Sequence, residues 1–299
     1  MRLYTTDQGI CREATDGSLE LLDINQRDLG SLLANESGLA SAASAKSRRT
    51  LARGNACPLA PVPRPGTVFC VGANYESHLD EVLGQASRLG NAETIETTLA
   101  TIRTAPIFFS VPTSAVSGPI AEIVLPSLAP HHVDYEVEVA VVIGKGGKNI
   151  DAREALDAVA GLTLANDVSA RDIQAQSMSG YDMELGHAKG MDGFKPMGPC
   201  LVTLDSLPDL QTISLETRVN GNLRQSASLS DLIHDIPTCV AHISKFHTLR
   251  PGDVILTGSP AGVGFFQDTF LKPGDVVEMK ATGIGELRNQ VVAEAEQVS

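Results

Sequence analysis

Short apolar and β-branched runs recur along most of the chain between turn signals, at residues 67–71, 122–125, 137–143, 201–203, 254–256 and 276–279. Each has the length of a strand and is bounded by Gly, Pro, Asn or Asp, which predicts a β-rich protein. Helical spacing is scarcer, at 152–160 and at 230–246 around an Ile236-Pro237 break. Strand candidates at 1–4 and 19–22 precede an Ala/Ser-rich stretch, 39–47, whose composition fits a helix or a mobile linker equally well. Many short strands with few helices predict an α+β fold rather than a doubly wound sheet. Closely spaced Pro58, Pro61, Pro63 and Pro65 exclude a helix interior and a central strand. A border is therefore expected there, between a small N-terminal domain, residues 1–60, and a larger one, residues 61–299. Pro251-Gly252-Asp253-Val254 and Pro273-Gly274-Asp275-Val276 repeat a turn-into-strand signature once. We read them as two similar turns rather than a duplication.

One apolar run is interrupted in an informative way. In Asp134-Tyr135-Glu136-Val137-Glu138-Val139-Ala140-Val141-Val142-Ile143-Gly144, two carboxylates stand at i and i+2 before a plainly buried continuation. On a strand these side chains project from the same face. Adjacent buried carboxylates repel unless a cation lies between them, and their oxygens suit Mg²⁺, Mn²⁺ or Ca²⁺. A half-exposed strand with a solvated Glu face is the alternative. The run 161–174 carries an apolar strand into Asn166-Asp167 and then a polar, helix-compatible turn, so Asp167 arrives at a strand end. It could complete an oxygen-rich site with Glu136 and Glu138, or cap a helix.

These two segments, in this order, resemble the fumarylacetoacetate hydrolase family, with its D-Y-E-x-E and N-D-x-S-A-R-D-x-Q patterns. Further matches follow. Val71-Gly72-Ala73-Asn74-Tyr75-Glu76-Ser77-His78-Leu79-Asp80-Glu81 is similar to V-G-x-N-Y-x-x-H-x-x-E, and 189–199 to K-x-x-D-x-F-x-P-x-G-P. Residues 219–225 resemble V-N-G-x-x-x-Q, and 249–264 resemble L-x-P-G-D-x-I-x-T-G-T-P-x-G-V-G. The likeness spans about residues 60 to 290 and implies a β-sandwich-like roll with peripheral helices.

The resemblance assigns roles. Glu136, Glu138 and Asp167 would ligate a divalent cation, with Mg²⁺ the first choice and Mn²⁺ or Ca²⁺ the others. Its Lewis acidity would stabilise an enolate of a β-dicarbonyl or 2-oxo acid. His78 and Glu81, three apart, share a face if helical. They would form a general base on a mobile lid, against the plainer reading of a solvated helix surface. Lys189 would hold a substrate oxygen or an enolate, unless it is an ordinary surface lysine. Arg171 and Gln174 follow Asp167 by four and seven residues, on one side of a helical turn. Arg171 then reads as a carboxylate clamp, or as the partner of Asp172 or of a strand-end acid. Tyr75, Thr257 and Ser259 would complete the substrate contacts, although Thr257-Gly258-Ser259-Pro260 also reads as a tight turn.

Composition narrows the partners. A formal net charge of -13 argues against nucleic acid and leaves room for a small anionic oxo acid focused by a few cations. No apolar run approaches the length of a membrane span, and the start lacks a signal-peptide core, so a cytoplasmic protein is expected. Five widely spaced cysteines suggest neither a disulfide framework nor a zinc site. Homodimers are implied by the family, and so many strands need their edges hidden.

Three departures from the family pattern stand out. Phe109-Ser110-Val111-Pro112 replaces F-x-K-P, so Val111 stands for a lysine. The segment 82–105 is longer than expected, and an aromatic residue before Lys189 is missing, leaving Met183, Leu185 or His187. Ser259 for Thr is a milder change. Together they suggest a bulkier or more apolar substrate. The leading expectation is metal-dependent hydrolysis of a C–C bond in an acylpyruvate-like substrate. Decarboxylation or keto–enol tautomerisation of an oxaloacetate-like acid is the alternative, and a non-catalytic binding homologue is the rival from another class.

Overall fold

The computed structural model describes residues 1–295 except 36, 89–91, 180–184 and 208. Among the described residues an eleven-stranded sheet forms the body. Its central order is Arg2–Thr6, Lys195–Val202, Val159–Asn166, Val137–Ile143, Val254–Leu256, Val68–Gly72 and Ile107–Val111. A five-stranded sheet packs against it, in the order Asn222–Ser228, Ser214–Val219, Val276–Ala281, Gly285–Ala293 and Ile123–Leu125. Val139, Val141, Leu162 and Leu164 of the large sheet meet Leu215, Val277, Met279 and Leu287 of the small one in the main core. On the other face Val68, Ala140, Val142 and Leu256 pack with Leu3, Leu29 and Leu32. The α+β roll expected from the sequence is the fold observed.

Burial on both faces explains why Val137–Ile143, buried at every position, carries no alternation beyond Glu138. The N-terminal segment joins the body through the sheet, since Arg2 pairs with Val202 and Leu3 with Leu201. Two helical expectations need correction. Residues 152–160 hold only the 3-10 turn Ala155–Ala158 before the strand Val159–Asn166, whose pairing overrides the local preference. Pro237 does not break a helix but opens one, Ile236–Phe246. Its missing N–H costs nothing in the first turn, and Asp235 caps the Thr238 N–H at 2.9 Å. The Ala/Ser stretch is a helix, Gly38–Ser44. None of the described helices is long and apolar enough to cross a membrane.

The long segment after Tyr75 is built as two helices, Glu76–Arg88 and Ala92–Thr104. Buried Leu79, Leu99 and Ile102 form its own small core, against which Ile233 of the body packs.

Candidate active site

The acidic triad is a product of strand register. Glu136 and Glu138 continue the row of Ala140 and Val142, on the face away from the main core. In the antiparallel ladder Val137 lies opposite Asn166 and Glu138 opposite Ala165. One step further out the Asp167 N–H donates to the Glu136 carbonyl at 2.8 Å, which sets Asp167 across from Glu136. One carboxylate oxygen from each of the three lies within 4.8 Å of the others, and all three residues are buried. The neighbouring strand Val254–Leu256 pairs Leu256 with Ala140, so Gly258 comes level with Glu138 and donates its N–H to Oε2 at 2.6 Å. A side chain there would place Cβ 2.7 Å from that of Asn74 at a φ of +97°, so the position requires glycine.

Three cations surround the triad. Lys189 Nζ lies 3.0 Å from Glu136 Oε2 and 2.9 Å from Asp167 Oδ2, and donates to Ser169 Oγ at 2.7 Å. Fully buried Lys195 stands 2.6 Å from the other Asp167 oxygen. Arg171 Nη2 reaches Glu136 Oε1 at 2.6 Å and Asp134 Oδ2 at 2.7 Å. Burial opposes charge on Glu136, yet Lys189, Arg171 and His78 hold its carboxyl down at about 2. Glu138 is pushed well above the carboxylate range by burial, Asp167 and Glu136. Burial also opposes charge on Lys189, but Asp167 and Glu136 outweigh it and keep its pKa above that of a free lysine.

The helix Glu76–Arg88 carries the dyad to this cradle. His78 Nδ1 and Glu81 Oε2 are 3.3 Å apart, and the other Glu81 oxygen accepts the Gly262 N–H at 2.9 Å. Gly262 lies at a φ of +100°, and a Cβ there would fall 2.0 Å from the Arg224 carbonyl. The second helix is held at its far end, where His234 Nε2 lies 2.8 Å from the Ile102 carbonyl. That carbonyl belongs to a last helical turn lacking intrahelical donors. Asn74 ties the arrangement together. Its Nδ2 donates to the carbonyls of His234 and Thr257 at 2.9 and 2.8 Å, and its Oδ1 accepts from the His234 N–H at 2.8 Å.

The remaining expected site residues take different positions. Tyr75 is wholly buried and its hydroxyl has no hydrogen-bond partner among the described residues. Burial, and next Glu138, raise its pKa. Gln174 accepts from Arg171 Nη1 at 2.8 Å, while Nε donates to Asp134 at 2.8 Å. Most of the guanidinium is thus engaged by the protein, and the strand-end acid left open as a partner is Asp134. Asp172 pairs instead with His132 at 2.5 Å. The Thr257 hydroxyl donates to the Val139 carbonyl at 3.0 Å. Ser259 Oγ accepts from buried Gln225, whose oxygen takes the Val137 N–H at 3.0 Å. Val111 packs in the second core, and the adjacent Pro112 abuts Gly190, next to Lys189. Leu185 and His187 lie on the short helix ending at Lys189, and Met183 falls outside the described residues.

Sequence reasoning passed over Asp134, Lys195 and the aromatic pair Phe265-Phe266. For Asp134 the signal was its place in the same acidic motif. For Lys195 it was a lone charge between Phe194 and Pro196 in a strand-like run.

The triad fits a hard divalent cation. Oxygens bound to one ion at about 2.0–2.6 Å stand at most about 5.2 Å apart, and the three carboxylates meet that limit at 4.8 Å. All-oxygen donors suit Mg²⁺, Mn²⁺ or Ca²⁺.

Residues 67–292 match the profile described as Fumarylacetoacetate (FAA) hydrolase C-terminal. Over 236 residues the chain is 42% identical to mitochondrial oxaloacetate tautomerase Fahd2a of Rattus norvegicus, covering 78% of this chain and 69% of that protein. Among solved structures, a putative HpcE protein from Mycobacterium smegmatis superposes with a TM-score of 0.83 at 32% identity, covering 99% of this chain and 100% of that one. Maleylpyruvate hydrolase from Sphingobium sp. SYK-6, in complex with manganese (II) ion and pyruvate, gives 0.76 at 26% identity, covering 99% and 100%.

Proposed function

The chain belongs to the fumarylacetoacetate hydrolase family, and from that premise we propose that it catalyses keto–enol tautomerisation of a small 2-oxo acid at the Glu136, Glu138 and Asp167 cradle. The relatives named oxaloacetate tautomerase move this reaction ahead of C–C bond hydrolysis, the order opposite to the one the sequence alone suggested.

The observation that carries the reading is a carboxylate-oriented imidazole on a helix anchored beside a buried acidic triad. Glu136, Glu138 and Asp167 would hold a divalent cation, which when bound would draw electron density from the two oxygens of an enolising 2-oxo acid. Glu81, fixed by the Gly262 N–H, faces His78 Nδ1 and leaves Nε2 to take a proton from the carbon beside the carbonyl and return it to oxygen. Lys189, lodged between two carboxylates, stays cationic. It therefore offsets developing negative charge rather than abstracting a proton. Hydrolysis is the second reading, because the same dyad could activate water, as its counterpart reaction in a manganese-binding relative suggests.

The test follows the disappearance of enol oxaloacetate and, separately, the release of pyruvate from an acylpyruvate, with Mn²⁺- or Mg²⁺-loaded protein. Tautomerisation is expected to dominate. His78→Ala is expected to lower turnover by roughly 10² while Mn²⁺ affinity stays near wild type. No acceleration of enol loss with either oxaloacetate or a 2-oxo acid bearing an uncharged substituent, such as phenylpyruvate, or full activity in the variant, defeats the reading.

A further inference from the structure

Beyond the cradle, the short helix Gly264–Gln267 brings two aromatic rings to bear on the functional side chains. Phe266 stands edge-on to the His78 imidazole, with ring centroids 5.7 Å apart at 71°. Phe265 lies against Arg171, whose guanidinium carbon is 5.7 Å from the ring centre. The two rings also pack edge to face, at 5.2 Å and 79°. They are held in place, because the N–H groups of Gly264 and Phe265 both donate to the buried Asp134 carboxylate, at 2.7 and 3.0 Å. Phe265 nevertheless remains 38% exposed. A large apolar side chain anchored over a polar site and left open to water is a surface awaiting cover.

The charges beside the rings bear on what would cover it. Lys189 and Lys195 are engaged by Asp167 and its neighbours, and Arg171 by Asp134, Glu136 and Gln174. Arg171 is therefore poorly placed to grip a second substrate carboxylate in bidentate fashion. Beside it stands the ring of Phe265, which is itself partly exposed.

We propose that Phe265 and Phe266 form the specificity wall of the site, receiving an uncharged, apolar substituent at the end of the 2-oxo acid remote from its chelating oxygens. The inference rests on the tautomerase reading and deepens it, by naming an aryl- or alkyl-bearing 2-oxo acid over a dicarboxylate. The rings would exclude water from that substituent and disfavour a second carboxylate, which would lose hydration without gaining a partner.

The experiment compares the enols of phenylpyruvate and oxaloacetate on Mn²⁺-loaded wild type, Phe265→Ala, Phe265→Leu and Phe266→Ala. Wild type is expected to prefer phenylpyruvate in kcat/KM. Phe265→Ala should lower the phenylpyruvate value at least tenfold, through KM, while the oxaloacetate value moves less than threefold. Phe265→Leu should retain most of the preference, as an apolar wall requires. Calorimetric titration with phenylpyruvate and with oxalate, which has no substituent, separates the wall from the reaction. Weakened phenylpyruvate binding with unchanged oxalate binding in Phe265→Ala supports the wall, even if neither enol is turned over and the tautomerase reading fails. A wild type that binds no phenylpyruvate, or a Phe265→Ala variant in which both ligands weaken equally, overturns it.

Discussion

Replacing Asp134 by Asn would expose how much of this site depends on one buried hub. The carboxylate is fully buried and both oxygens are occupied. Oδ1 accepts the N–H groups of Tyr135 and Gly264 at 2.8 and 2.7 Å. Oδ2 accepts the Phe265 N–H at 3.0 Å and two Arg171 donors, Nε at 2.8 Å and Nη2 at 2.7 Å. Asparagine keeps the volume but offers one acceptor oxygen and two N–H donors. In either orientation its NH₂ group faces at least two donors, and Arg171 is left with Glu136 as its remaining anionic partner here. Breaking a buried pair from one side costs about 3–5 kcal/mol, a large share of a typical total stability of about 5–15 kcal/mol. At about 2–4 °C per kcal/mol for a chain of this order of size, the midpoint of thermal unfolding should fall by roughly 10 °C. Circular dichroism melts measure this directly. Adding Arg171→Met removes the stranded guanidinium, so the double variant should be more stable than the sum of the single losses predicts, by about 1 kcal/mol or more. An Asp134→Asn protein within about 1 kcal/mol of wild type, or strict additivity in the double variant, would refute the reasoning.

Other outcomes follow from the same geometry. Glu138→Gln should weaken Mn²⁺ binding at least about tenfold by calorimetry, and unchanged affinity would remove Glu138 from the ligand set. His234→Ala strips the Ile102 carbonyl of its partner, so hydrogen exchange over residues 76–104 should quicken while the central strands keep their protection. Equal loosening of both would deny His234 a local role. Saturation with a substrate analogue should raise protection over 76–104, as expected of a lid, and an unchanged pattern would count against closure. Light scattering should report a two-fold dimer, since Ile107 on an edge strand and nearby Phe246 are 44% and 60% exposed. A monomer at micromolar concentration would contradict that.

The acidic triad was legible because sheet geometry has a period of two and writes itself directly into Glu136-Val137-Glu138. Asp167 was legible because an apolar run stops just before it. Asp134 and Lys195 were harder. An acid within a motif does not announce that it serves Arg171 rather than a cation, and a lysine with no exposed surface runs against the ordinary expectation for its type. The helix Ala92–Thr104 was hidden by its threonines, which have modest helix propensity. What sustains it is Leu99 and Ile102 packing on Leu79, a contact across 20 residues or more that no local pattern reports. The loss of lysine at Val111 was visible, but its accommodation inside an apolar core was not, because the core face of that strand is defined by neighbours distant in sequence.

The pairing of Val137 with Asn166 has a further meaning for the life of the molecule. Three carboxylates contributed by the ends of neighbouring strands converge only when those strands are aligned to the residue. A slip of one position turns the carboxylates to the opposite side of the sheet and leaves no place for an ion. Occupancy of the cradle would therefore serve as a checksum on assembly, with correctly zipped molecules loaded and stabilised by mass action and misaligned ones left empty.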